Sequence, residues 1–176
     1  MVPFGILDVL GEQLWIYFGQ SRETSDMIVD CLETWWSSNS QFYEGLEELM
    51  IQLDGGSATR SNRTQFIKRM VEFSHHSNLR IRLVYYPPYH SKYNPIERCW
   101  AVLENYWNGA ILDSVSTAIA WAENMTWKGV KPIVELVEKT YEKGIVPTVE
   151  ELTISKEFWK PSPKLPSWDV TIVPGD

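Results

Sequence analysis

The spacing of hydrophobic positions changes along the chain, and each change predicts an element. Gln13-Leu-Trp-Ile-Tyr-Phe18 is β-branched and aromatic and lies between Gly11 and Gly19, which predicts a strand; Val2 to Leu7 predicts another before it. From Thr24 the period lengthens. Ile28, Cys31, Leu32 and Trp35 fall at i, i+3, i+4 and i+7, one face of a helix that Ser25 and Asp26 suit at its start. Leu49 to Leu53 is a short apolar run stopped by Asp54-Gly-Gly56, the pattern of a buried strand ending in a turn. A second helix is predicted from Arg63 to His76. The alternation Leu79-Arg-Ile-Arg-Leu-Val-Tyr85 predicts another strand, ended by Tyr86-Pro-Pro88. Asn94 opens a helix whose stripe is Ile96, Trp100, Leu103 and Trp107, closed by Asn108-Gly109. Helices are also predicted near Ser114 to Met125, over Lys131 to Glu142, and over Thr148 to Trp159, where Thr148 and Glu151 have the spacing of a capping box.

Strands alternating with helices over the first two-thirds predict an α/β fold with parallel crossovers. The 176 residues suit one domain with a real core. We read residues 1–145 as that domain and 146–176 as a helix and a proline-rich extended tail. With 44% hydrophobic and 22% charged residues the composition is globular. The formal charge of -7 opposes a polyanion, so a nucleic-acid partner requires a local basic patch. One candidate exists, the run Arg60, Arg63, Lys68, Arg69, Arg80, Arg82, Lys92 and Arg98, although on pattern alone solvated helix and strand faces are the better explanation. The two cysteines, Cys31 and Cys99, sit at helix positions that suit buried thiols. With no membrane-length apolar run and no leader pattern, they point to a reducing, cytoplasmic setting.

Two acidic residues stand where chemistry is expected. Asp54 lies at the carboxyl end of a strand, where ligands gather in open α/β sheets, and a plain turn residue is the competing explanation. Glu97 is the third residue of a helix opened by Asn94 and Pro95, a position from which a carboxylate caps the helix start. The loop before it, Tyr86 to Tyr93, brings His90 and Lys92 to the same place in the sequence.

The stretch His90-Ser-Lys-Tyr-Asn-Pro-Ile-Glu-Arg-Cys-Trp100 resembles the third-carboxylate motif of mariner-like DDE transposases, usually Ser-Pro-Asp-Leu-Asn-Pro-Ile-Glu followed by Trp. The longer runs RLVYYPPYHSKYNPIERCWAVLENYWNG and MTWKGVKPIVELVEKTYEKG resemble the bacterial group called the Rhodopirellula transposase DDE domain. The resemblance implies a ribonuclease H-like fold, a mixed sheet flanked by helices. It also implies DNA strand cleavage and strand transfer with Mg2+ or Mn2+, and DNA as partner, with homo-oligomerisation left open. Matched residue by residue, Asp54 is the second metal ligand and Glu97 the third, and His90, Lys92 and Arg98 are candidates for DNA contact. Carboxylates are the required type because two hard cations about 4 Å apart need oxygen ligands around a scissile phosphate.

The chain departs from the family in two places. Asp54-Gly-Gly-Ser-Ala-Thr59 replaces a more polar Asp-Asn-Gly sequence. The family's first strand, with the first catalytic Asp, has its expected counterpart before Met1; Asp8 suits a turn, and Asp26 and Asp30 suit a solvated helix face. The expectation is a C-terminal transposase part with impaired activity. The alternatives are a non-catalytic module binding DNA or a transposase, and an inactive remnant.

Overall fold

The computed structural model describes residues 1–109 and 114–175. The chain divides into two compact units, one formed by residues 1–23 and 91–142, the other by 24–90 and 143–175. Both are α/β, with mixed sheets flanked by helices.

In the first unit β1 (Val2–Asp8) and β2 (Gln13–Gly19) form an antiparallel hairpin. Its turn is held by Asp8, whose Oδ1 accepts from the backbone of Leu10 at 3.0 Å and Gly11 at 2.9 Å, as its sequence position suggested. β2 is buried throughout its core, from Leu14 to Phe18. Leu14, Ile16 and Phe18 alternate onto one face and pack against Cys99 and Leu103 of α3 (Pro95–Trp107) and Ala122 of α4 (Val115–Asn124), with Met125 just beyond α4. The predicted α3 stripe is the packed one: Ile96, Trp100 and Trp107 complete the rim of this cluster. Burial pushes the Cys99 thiol up to about 11, so it is a neutral packing group.

The helix predicted over Lys131 to Glu142 is instead a strand, β5 (Ile133–Val137), paired in parallel with β2 from Trp15–Ile133 to Gly19–Val137. The helical spacing there was coincidental. Ile133, Val134 and Val137 are β-branched, and pairing beside a buried strand satisfies backbone groups that a helix would satisfy within itself.

In the second unit α1 (Ser25–Asn39) starts at Thr24, whose hydroxyl accepts from Met27 N. β3 (Glu48–Leu53), α2 (Thr64–Ser77) and β4 (Arg80–Tyr85) form the predicted parallel crossover, with Leu53 opposite Tyr85. α2 ends at Asn78, left-handed at φ 56, and the chain turns directly into β4. α5 (Val149–Phe158) has the expected capping box between Thr148 and Glu151. The proline-rich stretch that follows lies across its own unit. β6 (Trp159–Pro161) and β7 (Asp169–Ile172) extend the sheet in the order β3-β4-β7-β6, with β7 antiparallel to β4. Prolines are tolerated there because Pro161 sits on the edge strand and Pro163 and Pro166 in the connecting loop.

Charges tie α1, α2 and α5 together. The Arg69 guanidinium reaches Asp26 at 3.1 Å, Asp30 at 2.7 Å and Glu72 at 3.1 Å, with 15% of the side chain exposed. Gln65 also donates to Asp26, and Lys68 meets Glu151 at 2.9 Å. Breaking a buried pair costs about 3–5 kcal/mol; these carboxylates are partly solvated, so Arg69→Met is expected to cost about 2–3 kcal/mol in urea unfolding.

Gly5 seats α3 on the first sheet. A Cβ there would lie 2.7 Å from Trp100 Cζ2 and 3.0 Å from Ile96 Cδ1, so only glycine permits this approach. Gly5→Ala is expected to destabilise the protein by about 1–3 kcal/mol and to broaden the Trp100 indole resonance in NMR spectra as α3 is displaced.

Candidate functional site

Asp54 follows the last residue of β3 and is exposed. Its neighbourhood is set by strand register. Because Leu53 pairs with Tyr85, the next residues, Asp54 and Tyr86, leave the sheet side by side, and Tyr86 N donates to Leu53 O at 2.9 Å. Burial first, and the Asp54 charge second, raise the Tyr86 pKa. The Tyr86 hydroxyl donates to Gln52 Oε1 at 2.9 Å, which orients the ring.

The loop after Asp54 is a built turn. Gly55 adopts φ 63, a left-handed conformation open to glycine. Gly56 O accepts from Thr59 N at 3.0 Å and Arg60 N at 3.1 Å, while Ala58 and Thr59 are buried. Two side chains anchor it: Tyr85 Oη donates to Thr59 O at 2.7 Å, and Ser25 Oγ to Ala58 O at 2.7 Å. The Gly-Gly sequence after Asp54 is therefore followed by a fixed backbone.

Glu97 belongs to the first unit and lies in the first turn of α3, half-buried. The buried Asn94 caps the helix by accepting from Ile96 N at 3.5 Å, and Glu97 N donates to Asn94 O at 3.1 Å. Pro95 occupies the first helical position, as its fixed φ favours. A carboxylate in this first turn is favoured by the helix dipole.

The three candidate DNA contacts are exposed. His90 Nδ1 lies 3.0 Å from Pro88 O, the Lys92 ammonium sits 5.2 Å from the centre of the Tyr93 ring, and Arg98 lies on α3. The basic run as a whole is not one free patch: Lys68 and Arg69 are taken up by the carboxylates of α1, α2 and α5, and Arg82 is bound by Asp169. Sequence reading missed Tyr86 and Gln52 as neighbours of Asp54. No local signal pairs them, because the runs legible in sequence, Leu49–Leu53 and Leu79–Tyr85, differ in length and leave the register open.

The donor chemistry at Asp54 and Glu97, hard carboxylate oxygen, suits a divalent cation. The grouping is less complete: among the described residues no three His, Cys, Asp or Glu side chains form a cluster able to hold a metal ion. Also among the described residues, no helix is long and apolar enough to cross a membrane.

If Asp54 acts on Tyr86, neutralising it will be visible at the ring. In Asp54→Asn the Tyr86 pKa should fall yet stay above the ordinary tyrosine value, because burial, the larger cause, remains; pH titration of labelled tyrosine by NMR measures this.

Comparison with known proteins gives no match to a curated protein and none to a solved structure. The model of one family, described as the Rhodopirellula transposase DDE domain, matches residues 1–174. That match takes in the turn at Asp54, the capped helix of Glu97 and both sheets. The chain belongs to the Rhodopirellula transposase DDE domain family, whose chemistry is the metal-dependent nuclease work of DNA transposition.

Proposed function

We propose that the chain carries a ribonuclease H-like DDE transposase domain whose metal-ligating carboxylates include Asp54 and Glu97, for strand cleavage and strand transfer. The observation that carries this reading is the family match over residues 1–174, with an exposed aspartate at the carboxyl end of a parallel strand pair inside it. Bound Mg2+ or Mn2+ would supply an activated nucleophile and charge stabilisation at the leaving oxygen.

The chain's own residues contribute position and electrostatics. Asp54 presents its carboxylate from a strand end with the anchored turn behind it, so little conformational entropy is lost when it ligates. The partly buried Tyr86 ring, fixed through Gln52, stands close enough to that carboxylate to feel its charge and borders the site. Glu97 offers its carboxylate from a helix start already held by Asn94 and Pro95. His90, Lys92 and Arg98 are exposed donors for backbone phosphates near the Glu97 helix.

A second reading, a non-catalytic module that binds DNA or a transposase, is favoured by one observation, the lack of a three-donor cluster among the described residues. Calorimetric titration with Mn2+ separates the two. Binding near micromolar that disappears in the Asp54→Asn, Glu97→Gln double variant is expected for the metal-ligating reading. Equal heats in the two proteins would reject it in favour of the second.

A further inference from the structure

The sheet of the second unit buries one face and leaves the other open. Ile81, Leu83 and Tyr85 of β4, Val170 and Ile172 of β7 and Trp159 of β6 point to the buried side. The alternate positions carry Glu48, Met50 and Gln52 on β3, Arg80 and Arg82 on β4, Asp169 and Thr171 on β7, and Lys160 on β6. Strand register sets these in rows. Met50, Arg82, Thr171 and Lys160 form one row across all four strands. The Arg80, Arg82, Thr171 and Lys160 side chains line a groove of about 410 Å³, with Pro161 and Pro163 along its margin.

Within a chain of net charge -7, this groove holds three cations against two acids, Glu48 and Asp169. The acids do not cancel the cations equally. Asp169 takes Arg82 by two oxygens, from Nε at 3.1 Å and Nη2 at 2.9 Å, which holds the guanidinium in place and leaves Nη1 outside that fork. Arg80 reaches Glu48 only at 4.0 Å, with both side chains largely solvated, a contact of little energy. Lys160 enters none of the ion pairs found among the described residues. An anion seated over Thr171 would lie about one strand spacing, ~4.8 Å, from the Arg82 and Lys160 strands, with a hydroxyl beneath it. Arg80 continues the cationic line two residues along β4, ~6.6 Å from Arg82, so the site suits an extended chain of anions better than a single one.

We propose that this open sheet face binds the phosphodiester backbone of DNA, through Arg80, Arg82 and Lys160 with the Thr171 hydroxyl, as a contact surface separate from Asp54 and Glu97. It rests on the reading of the chain as a protein that acts on DNA. Phosphate contacts of this kind add affinity and orientation without sequence preference.

Fluorescence anisotropy of the full chain with a short random-sequence duplex, over a series of salt concentrations, tests the proposal. Arg80→Gln with Lys160→Gln removes two exposed cations and spares the Arg82–Asp169 pair; an unchanged melting temperature checks that the fold persists. The expected result is weaker binding, with the slope of log affinity against log salt reduced by about 2. Unchanged affinity and slope in the Arg80, Lys160 variant, or no duplex binding by the parent at low salt, overturns the proposal. Metal calorimetry on the same proteins reports on Asp54 and Glu97 independently, so failure of this surface and failure of the metal-ligating reading are distinguished.

Discussion

The parallel, in-register pairing of β3 with β4 is the constraint on which the second unit and its candidate site depend. It runs from Glu48 opposite Arg80 to Leu53 opposite Tyr85, and both strands end at the same level. Three consequences follow from that shared end. Asp54 and Tyr86 emerge as neighbours, Tyr85 is placed to anchor the turn at Thr59, and the apolar alternation of β4 faces the helices while its arginines face outward. A shift of one residue would reverse every side chain of a strand, exposing Ile81 and Leu83 and burying Arg80 and Arg82. Burial of two unpaired guanidinium groups is costly enough to exclude that register.

The charged groups of the second unit serve two different ends. Around Arg69, carboxylates outnumber the cation, and the network is partly buried between helices; its effect is to hold α1 against α2. On the opposite, open sheet face the arginines are only partly matched and remain at the surface. Linear sequence places all of these residues in one basic run. Tertiary structure sorts them by what each faces, which is why a count of positive charge along the chain overstated the size of a free basic patch.

Helix starts were the most readable features, because their chemistry is local. Asn94 and Thr148, expected at helix starts, and Thr24 and Ser114, which the structure adds, each cap a helix through a bond to a backbone amide two or three residues on, and a short window of sequence contains the whole interaction. The one mistaken helix, over Lys131 to Glu142, shows the opposite case. Its backbone partners are on β2, more than a hundred residues earlier, and no local pattern reveals them. The stretch after Trp159 is similar: its prolines and polar residues suggested an extended tail, and its place beside β4 depends on a pairing partner nearly ninety residues away.

For the site, residue types and short-range spacing in the sequence determined that Asp54 ends a strand and Glu97 begins a helix, because both depend on contacts within a few residues. The family resemblance likewise rested on contiguous stretches, chief among them His90 to Trp100, and the family match extends it over residues 1–174. What tertiary structure alone decided is the company these residues keep: Tyr86 beside Asp54, Trp100 over Gly5 beneath α3, and the row of Met50, Arg82, Thr171 and Lys160 across four strands. Each is a contact between distant segments, and its geometry follows from strand register and helix packing, which sequence spacing does not encode.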